Sequence, residues 1–455
     1  MIEQTERAAK GLTLLLQRVV NVDEKESRTL IWSGVFFFCL LSAYYIIRPL
    51  RDVMGVAGGV WNIPWLFTGT FIATLICHPP WAALVTKLPR TRAISLTYRF
   101  FMLNILIFFV LLKVMPDEAD IWIGRVFYIW SAVFSLFTVS VFWTFMTDTW
   151  STVQGKRLFG FIGAGGTIGG IAGSGMTALL ATRIGPVHLL LISIVLLELA
   201  VQAMRQISRM QREGGVRAIG EDIDSSEEEG SKPVGQPDSE TEKPVGGRIL
   251  SGITHLLASP YLLGICAYML LYPIISTVLY MQQSNIAAIF YPDSTYQTVF
   301  FAELDLYVNI LTLITQIFLT GRIIKGLGVG VTLALMPILC IIGFTSLGIW
   351  WVLPVFVMFQ ILRRAGNYAL ARPAREVLWT VVSREDKFKA KNFADTVVYR
   401  TGDQIGAWSQ ALLRALGFGM AGMAFSAIPV AVVWMGVALW LGRQQTRIAE
   451  SRSAA

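Results

Sequence analysis

The residues of this sequence best able to do chemistry are ionisable side chains set inside apolar runs. Arg48, Arg51 and Asp52 close the first such run, and Arg125 lies inside the fourth. Glu303 with Asp305, Arg363 with Arg364, and Arg400 with Asp403 fall in later ones, and Arg375 and Glu376 stand before the run that holds Arg400. An ionisable group at a bilayer centre costs roughly 2.5–3.5 kcal/mol even on the gentler insertion scale. It persists where it faces a water-filled cavity or an opposite charge. Arginines outnumber carboxylates in this set. The planar guanidinium bonds carboxylate and phosphate oxygens bidentately, so a cavity rich in it favours an organic anion. Arg48, Arg51, Arg125 and Arg400 are the expected substrate-binding residues. Asp52, Asp305 and Asp403 are expected to pair with them between cycles or to carry a coupling proton, and Arg375 and Glu376 to belong to an inner gate. Arg400 and Asp403 are three apart and share a helical face; Glu303 and Asp305 are two apart and do not. For residues near helix ends, Arg48, Arg363 and Arg364 above all, the plainer alternative is a head group that snorkels to the interface. A structural salt-bridge network is the alternative for the whole set.

The elements that must position these groups are membrane spans. The chain has 455 residues, 54% of them hydrophobic and only 15% charged, with a mean hydropathy of +0.58. Apolar runs of about twenty residues recur, each long enough to cross a bilayer. Six lie within residues 30–204, and six more are expected at about 260–281, 298–320, 328–346, 349–370, 395–416 and 420–441. Basic residues cluster in alternate loops: Lys87–Arg92, Lys156 and Arg157, Arg205 to Arg212, Arg322 and Lys325, Arg384 to Lys391, and the tail from Arg443. The positive-inside rule then places both termini in the cytoplasm. The organisation expected is a cytoplasmic segment 1–29, a six-helix bundle 30–204, a cytoplasmic linker 205–250, a second bundle 251–442 and a tail 443–455. Leu12, Leu15, Leu16 and Val19 share one face of a short amphipathic helix lying on the membrane. From Glu221 to Glu242 the linker carries nine acids against one lysine and shows no apolar periodicity, so it reads as disordered. The fold class is an all-α polytopic membrane protein of twelve transmembrane helices. A six-plus-six arrangement is the shape of major-facilitator transporters, whose halves rock about a site near the bilayer midplane. By that analogy the protein is a multi-pass membrane component, and a bacterial inner (plasma) membrane is its expected location.

Other function classes find little support. Cys39, Cys77, Cys266 and Cys340 all sit in apolar segments without paired spacing, and His78, His188 and His255 are scattered, so neither disulfides nor a metal site is indicated. The net charge of +8 follows from loop topology, not from a basic platform for nucleic acid. There is no GxxxxGK[ST] loop, which leaves transport to a gradient or to exchange. No nucleophile–base–acid grouping stands in an aqueous setting, so neither an enzyme nor a cofactor is expected, and a monomer suffices. The N-terminal acids Glu3 and Glu6 do not fit a signal peptide. Trp61, Trp65, Trp122, Trp350 and Trp351 suit the interfacial belts.

The fifth span contains the run GFIGAGGTIGGIAGSG. A dinucleotide fingerprint would need a preceding strand, whereas these glycines lie inside a span. Two GxxxG registers, Gly165/Gly169/Gly173 and Gly166/Gly170, instead allow close approach of another helix.

Four blocks resemble the ATP/ADP translocases, the nucleoside triphosphate/diphosphate antiporters, in a divergent major-facilitator-like bacterial form. YYIIRPLRDVMGV is similar to the charged end of the family's first helix, with Arg51 at a basic position used in nucleotide recognition. VFWTFMTDTWSTVQGKRLFGFIGAGGTIGG resembles the passage from helix 4 to helix 5. FFAELDLY resembles the start of helix 8, with Asp305 at an acidic position. ARPAREVLWTVVSREDKFKAKNFADTVVYRTGDQIGA resembles the passage from helix 10 to helix 11, the most specific of the four. The chain departs from the family where helix 4 and the start of the second half carry glutamates: Trp130–Phe137 and Pro273–Gln282 hold no carboxylate. The resemblance implies nucleotide exchange, with ATP and ADP as the substrates. The alternatives are a major-facilitator transporter of another organic anion, or a membrane sensor or scaffold that transports nothing.

Overall fold

A computed structural model describes residues 24–87, 90–213, 259–382, 390–391 and 393–454. The expected amphipathic helix around Leu12–Val19, the acidic stretch Glu221–Glu242 and most of the basic loop Arg384–Lys391 lie outside these residues.

Twelve helices make up the described chain, with no strand among its residues. The first six are α1 (Glu24–Ala57), α2 (Ile63–Lys87), α3 (Arg90–Val114), α4 (Asp117–Thr149), α5 (Thr152–Ile184) and α6 (Leu189–Glu213). The second six are α7 (Pro260–Phe290), α8 (Ser294–Phe318), α9 (Thr320–Ile349), α10 (Leu353–Gly366), α11 (Tyr399–Ala415) and α12 (Met420–Ala454). Helix is the form these apolar runs must take in lipid, because it satisfies every backbone N–H and C=O within the segment. Several helices outrun the expected spans: α6 continues through the basic residues 205–213, and α12 continues to Ala454.

Ten helices are long and apolar enough to cross a membrane by length and composition, and α10 and α11 are the two that are not. Both are short, 14 and 17 residues, and each abuts a break; α11 is also polar. α10 passes through a wide π-type turn, Asn367–Ala371, into a last stretch, Arg372–Leu378. A second wide turn, Ala394–Val398, leads into α11. The helical course past Gly366 carries Arg372 and Arg375 into the bundle, where the hydropathy profile suggests an aqueous loop. α9 also breaks, at Gly328, whose φ of 76° suits a glycine and strains other residues.

Each half has its own core. Phe36, Phe134, Phe142 and Phe145 are buried in the first, and Phe344, Phe356, Trp379 and Trp434 in the second. Within the first half α1 lies on α5 along the expected glycine register. A methyl group on Gly165 would come 2.9 Å from the Gly34 carbonyl oxygen, and methyls on Gly169 and Gly173 would overlap the backbones of Phe38 and Ser42. The Ser42 hydroxyl donates to the Gly169 carbonyl at 3.0 Å. The second half repeats the device between α7 and α11, where Gly402 and Gly406 face the carbonyls of Leu270 and Ile274. Trp61, Trp65, Trp122 and Trp350 are exposed, as belt residues are.

The halves meet along α5 and α8, where Gly170 faces Asn309, and they close together at one end. The end of α1, the start of α2, the start of α4 and the last turns of α7 and α11 converge there. Trp65 and Trp408 pack edge to face at 4.8 Å, the Arg414 guanidinium covers the Trp61 ring, and Thr68 donates to Gln404 at 2.8 Å. The other end carries the start of α1 and the end of α12.

A candidate anion site between the two halves

Between the halves lies a cavity of about 470 Å³. α1 contributes Tyr44 and Arg51, α2 Phe67 and Thr70, and α4 Tyr128 and Ser135. α7 adds Ser276, Thr277 and Tyr280, the extension of α10 adds Arg372 and Arg375, and the approach to α11 and α11 itself add Asp395, Tyr399, Arg400 and Asp403. The helix breaks explain the last two groups. A straight hydrophobic helix would present lipid-compatible residues, whereas the wide turns swing polar sequence inward. Such turns recur at functional sites.

The charges in the wall are partly compensated. The Arg51 Nη2 lies 2.6 Å from the Asp52 Oδ1. That carboxylate also accepts from the Tyr280 hydroxyl at 3.0 Å, and Tyr128 donates to the Tyr280 oxygen at 2.9 Å. Arg400 and Asp403 stand at 3.5 Å, and Thr277 donates to Asp403 at 3.5 Å. Arg375 and Asp395 stand at 3.5 Å. Arg372 stacks on the Tyr368 ring at 4.6 Å and forms no ion pair among the described residues. The lining thus holds four arginines and two aspartates. Counting Asp52 behind Arg51, four positive charges face three negative ones, a surplus of one.

A second cluster ties the halves together beside this cavity. Asp305 of α8, 2% exposed, lies 2.5 Å from Arg364 of α10 and 3.4 Å from Arg48 of α1. Asp305 Oδ2 and Arg48 Nε find no hydrogen-bond partner. Arg363 is equally buried and is held by neutral groups: Gln360 Oε1 at 2.9 Å from Nη2 and Ser276 Oγ at 3.1 Å from Nη1. Arg363 and Arg364 therefore lie within the bundle and do not reach for the interface.

Of the residues singled out in the sequence, the structure brings Arg51, Arg375, Arg400 and Asp403 to the cavity, with Asp52 directly behind Arg51. Arg48 and Asp305 form the cross-half cluster. Arg125 lies apart, its guanidinium 4.5 Å above the Trp122 ring near the start of α4. Glu376 is exposed and pairs with Lys391. Glu303 is exposed while Asp305 is buried, as their two-residue spacing requires. Sequence reasoning passed over Arg372, Tyr128, Tyr280, Tyr399, Thr277 and Asp395. A signal existed for Arg372, which lies three residues before Arg375 and shares its helical face. The tyrosines carried none, since tyrosine in an apolar run equally suits a membrane belt. No group of three or more histidine, cysteine, aspartate or glutamate side chains able to hold a metal occurs among the described residues.

No protein-family model matches the sequence, and no curated protein matches it. Solved structures match over nearly the whole chain. A bacterial homologue of the iron transporter ferroportin in an inward-facing state is similar with a TM-score of 0.61 at 12% identity, over 92% of this chain and 98% of that one. A POT family transporter in complex with 5-aminolevulinic acid gives 0.62 at 10%, over 91% and 96%. The human organic anion transporter MFSD10 gives 0.55 at 13%, over 92% and 100%. At such identities the likeness is one of fold. The chain has the twelve-helix, two-half architecture of the major-facilitator transporters.

Proposed function

We propose that this protein is a secondary transporter of a small organic anion, bound between the halves and moved by alternating access across a bacterial inner membrane. The observation that carries the reading is the cavity with its surplus of guanidinium. Its volume of about 470 Å³ falls within the range of about 300–1,000 Å³ usual for ligand pockets. The positive-inside bias assigns the closed, tryptophan-lined end to the outside and the end bearing the termini to the cytoplasm. The conformation is then inward-open, the state named for the ferroportin homologue.

The charge count bears on the substrate. A surplus of one, the same whether the Arg51–Asp52 pair is counted or set aside, suits a carboxylate or a phosphomonoester better than a nucleoside triphosphate. Nucleotide exchange is the finer reading suggested by the sequence blocks, and the tyrosines beside the arginines would suit a base. The charge balance favours the smaller anion.

Binding has a direct route to the joint between the halves. Arg372 faces the cavity and stacks on Tyr368, and the Tyr368 hydroxyl lies in the fields of Arg48, Arg364 and Asp305. An anion that draws Arg372 away changes the environment of the cross-half cluster. The wide turn Asn367–Ala371 between them supplies the compliance.

Two measurements test the reading. In a thermal-shift panel of carboxylates, sugar phosphates, ADP and ATP, a ligand at a hundred times its dissociation constant adds about 2.7 kcal/mol of stability. A shift with a mono- or dianion and none with ATP is the expected result; a shift with ATP and ADP alone would replace it with nucleotide exchange. In proteoliposomes, Arg51→Ala and Arg400→Ala should abolish uptake of the stabilising anion while the folded protein is retained. Undiminished uptake by both variants would remove these residues from the site. If the wild type itself moved no anion, a sensor or scaffold would take the transporter's place.

A further inference from the structure

On the outer surface of the first half, away from the central cavity, a separate groove of about 510 Å³ opens between α3 and α6. Thr91, Arg92, Ser95, Leu96, Arg99 and Arg205 line it, chiefly with their apolar atoms. The two helices run antiparallel, so their residues pair by level. Arg92 stands level with Arg205, and Arg99 with Glu198. The deeper pair is an ion pair at 3.3 Å, and Gln202 donates to the same carboxylate at 2.5 Å. The shallower level holds two arginines, and neither Arg92 nor Arg205 forms an ion pair among the described residues. Seven residues separate Arg92 from Arg99, about 10 Å along the helix. Beyond Arg99 the exposed residues turn apolar: Leu103 and Ile107 on α3, Val195 and Leu191 on α6.

We infer that this groove binds an anionic phospholipid of the cytoplasmic leaflet. The vertical order of chemistry, charge above an apolar track, matches such a lipid. The guanidiniums of Arg92 and Arg205 take the phosphodiester, and the largely apolar wall of the groove takes the first carbons of an acyl chain. Arg99, already satisfied by Glu198 on one side, faces the ester carbonyls. The apolar track takes the rest of that chain. A basic pocket between spanning helices on the cytoplasmic side is the kind of site that holds anionic head groups. The assignment of leaflet rests on the orientation adopted above; the binding itself does not depend on transport.

The test uses the purified full-length protein in neutral detergent, with phosphatidylglycerol and phosphatidylcholine as probes and native mass spectrometry as the readout. The wild type should retain phosphatidylglycerol under activation that strips phosphatidylcholine. Arg92→Gln together with Arg205→Gln should weaken phosphatidylglycerol binding on the order of thirtyfold, from about one unit of surface attraction per arginine, and leave phosphatidylcholine binding and the melting temperature in neutral detergent unchanged. Ser95→Trp keeps every charge but fills the groove, and it should lose the lipid as well. Retention by Ser95→Trp would show a diffuse attraction to surface charge and overturn the groove. Retention by the double variant would overturn the arginines. Excess inorganic phosphate should leave the lipid bound; one-for-one displacement would make the site a receptor for free anions and overturn the lipid assignment. Lipid binding is read without any transported substrate, so its failure leaves the transport reading standing, and the reverse.

Discussion

The two halves solve the same packing problem with different materials. In the first half α1 and α5 meet along Gly165, Gly169 and Gly173, and the polar group at that seam, Ser42, is satisfied by a backbone carbonyl. In the second half α7 and α11 meet along Gly402 and Gly406, but α11 carries Arg400 and Asp403 beside those glycines. The breaks follow the same division. The wide turns at Asn367–Ala371 and Ala394–Val398 and the kink at Gly328 all belong to the second half. So do three of the four arginines that line the cavity. The first half is built as a rigid support and the second as the compliant, charge-bearing partner. Interiors pack too densely to deform continuously, so any motion of one half against the other would bend the chain at such places.

The largest effect expected is at the joint between these halves. Asp305→Asn leaves Arg48 and Arg364 facing each other across a buried site without their carboxylate. Removing one member of a buried ion pair costs about 3–5 kcal/mol. Asp403→Asn, in the cavity wall with its partners at 3.5 Å, should cost clearly less. Chemical denaturation of both variants checks the order. Equal losses would mean that Asp305 is one more wall residue and the joint lies elsewhere.

The seams give the next effect. Gly173→Ala places a methyl group into the Ser42 backbone, where neither side can give, and overpacking of this kind costs about 1–3 kcal/mol. Gly406→Ala meets Ile274 O at 2.8 Å and the Thr277 Cβ at 2.9 Å, a tight but looser approach. Gly173→Ala should therefore lower the melting temperature more than Gly406→Ala. The opposite order would reverse the assignment of rigid and compliant halves.

These two pairs also show what was legible in the sequence. The first seam was, because a GxxxG register is local and survives in any helix that contains it. The twelve-helix plan was legible from apolar runs and from the alternation of basic loops. α10 and α11 were legible only as approximate spans. Hydropathy reads Arg372 and Arg375 as loop because it does not register that a wide turn can continue a helix into the bundle. Asp305 and Glu303 separated as their spacing demanded. Arg125 shows the limit. It sits eight residues from the start of α4, and Trp122, one turn back on the same face, offers it a ring near the surface. The sequence shows a buried-looking charge but not the neighbouring ring that receives it. The cavity tyrosines were illegible for the same reason, since their partners come from the other half, as Tyr280 does for Asp52 and Tyr128.

A smaller effect belongs to the closed end. Trp65 and Trp408 pack edge to face across the halves at 4.8 Å, an aromatic pair worth about 0.5–1.5 kcal/mol beyond its burial. Trp408→Ala should leave the fold intact and shift the population toward opening at that end. A cysteine placed at Thr277 should then react faster with an impermeant thiol reagent applied from outside. An unchanged rate would mean that the Arg414–Trp61 and Thr68–Gln404 contacts keep the end shut by themselves.

The smallest effect compares the caps. α5 in the first half starts at Ser151, whose hydroxyl accepts from the Gln154 backbone amide at 3.4 Å while the Ser151 backbone amide donates to the Gln154 side-chain oxygen at 3.0 Å. α8 in the second half starts at Asp293, whose carboxylate accepts from the amides of Thr295 at 2.6 Å and Tyr296 at 3.4 Å. Only the second cap titrates. Those backbone amides favour the charged form and hold the Asp293 carboxyl below its ordinary value, which is about 3.9. A folded-state pKa below the unfolded one stabilises the protein above the unfolded pKa and loses that contribution as pH falls through the folded one. The melting-temperature loss in Asp293→Ala should therefore be constant near neutral pH and shrink as the pH drops below about 4, whereas the loss in Ser151→Ala should not change with pH. If both losses kept the same size down the pH range, the carboxylate would be acting at α8 as a neutral acceptor, and the caps of the two halves would be equivalent.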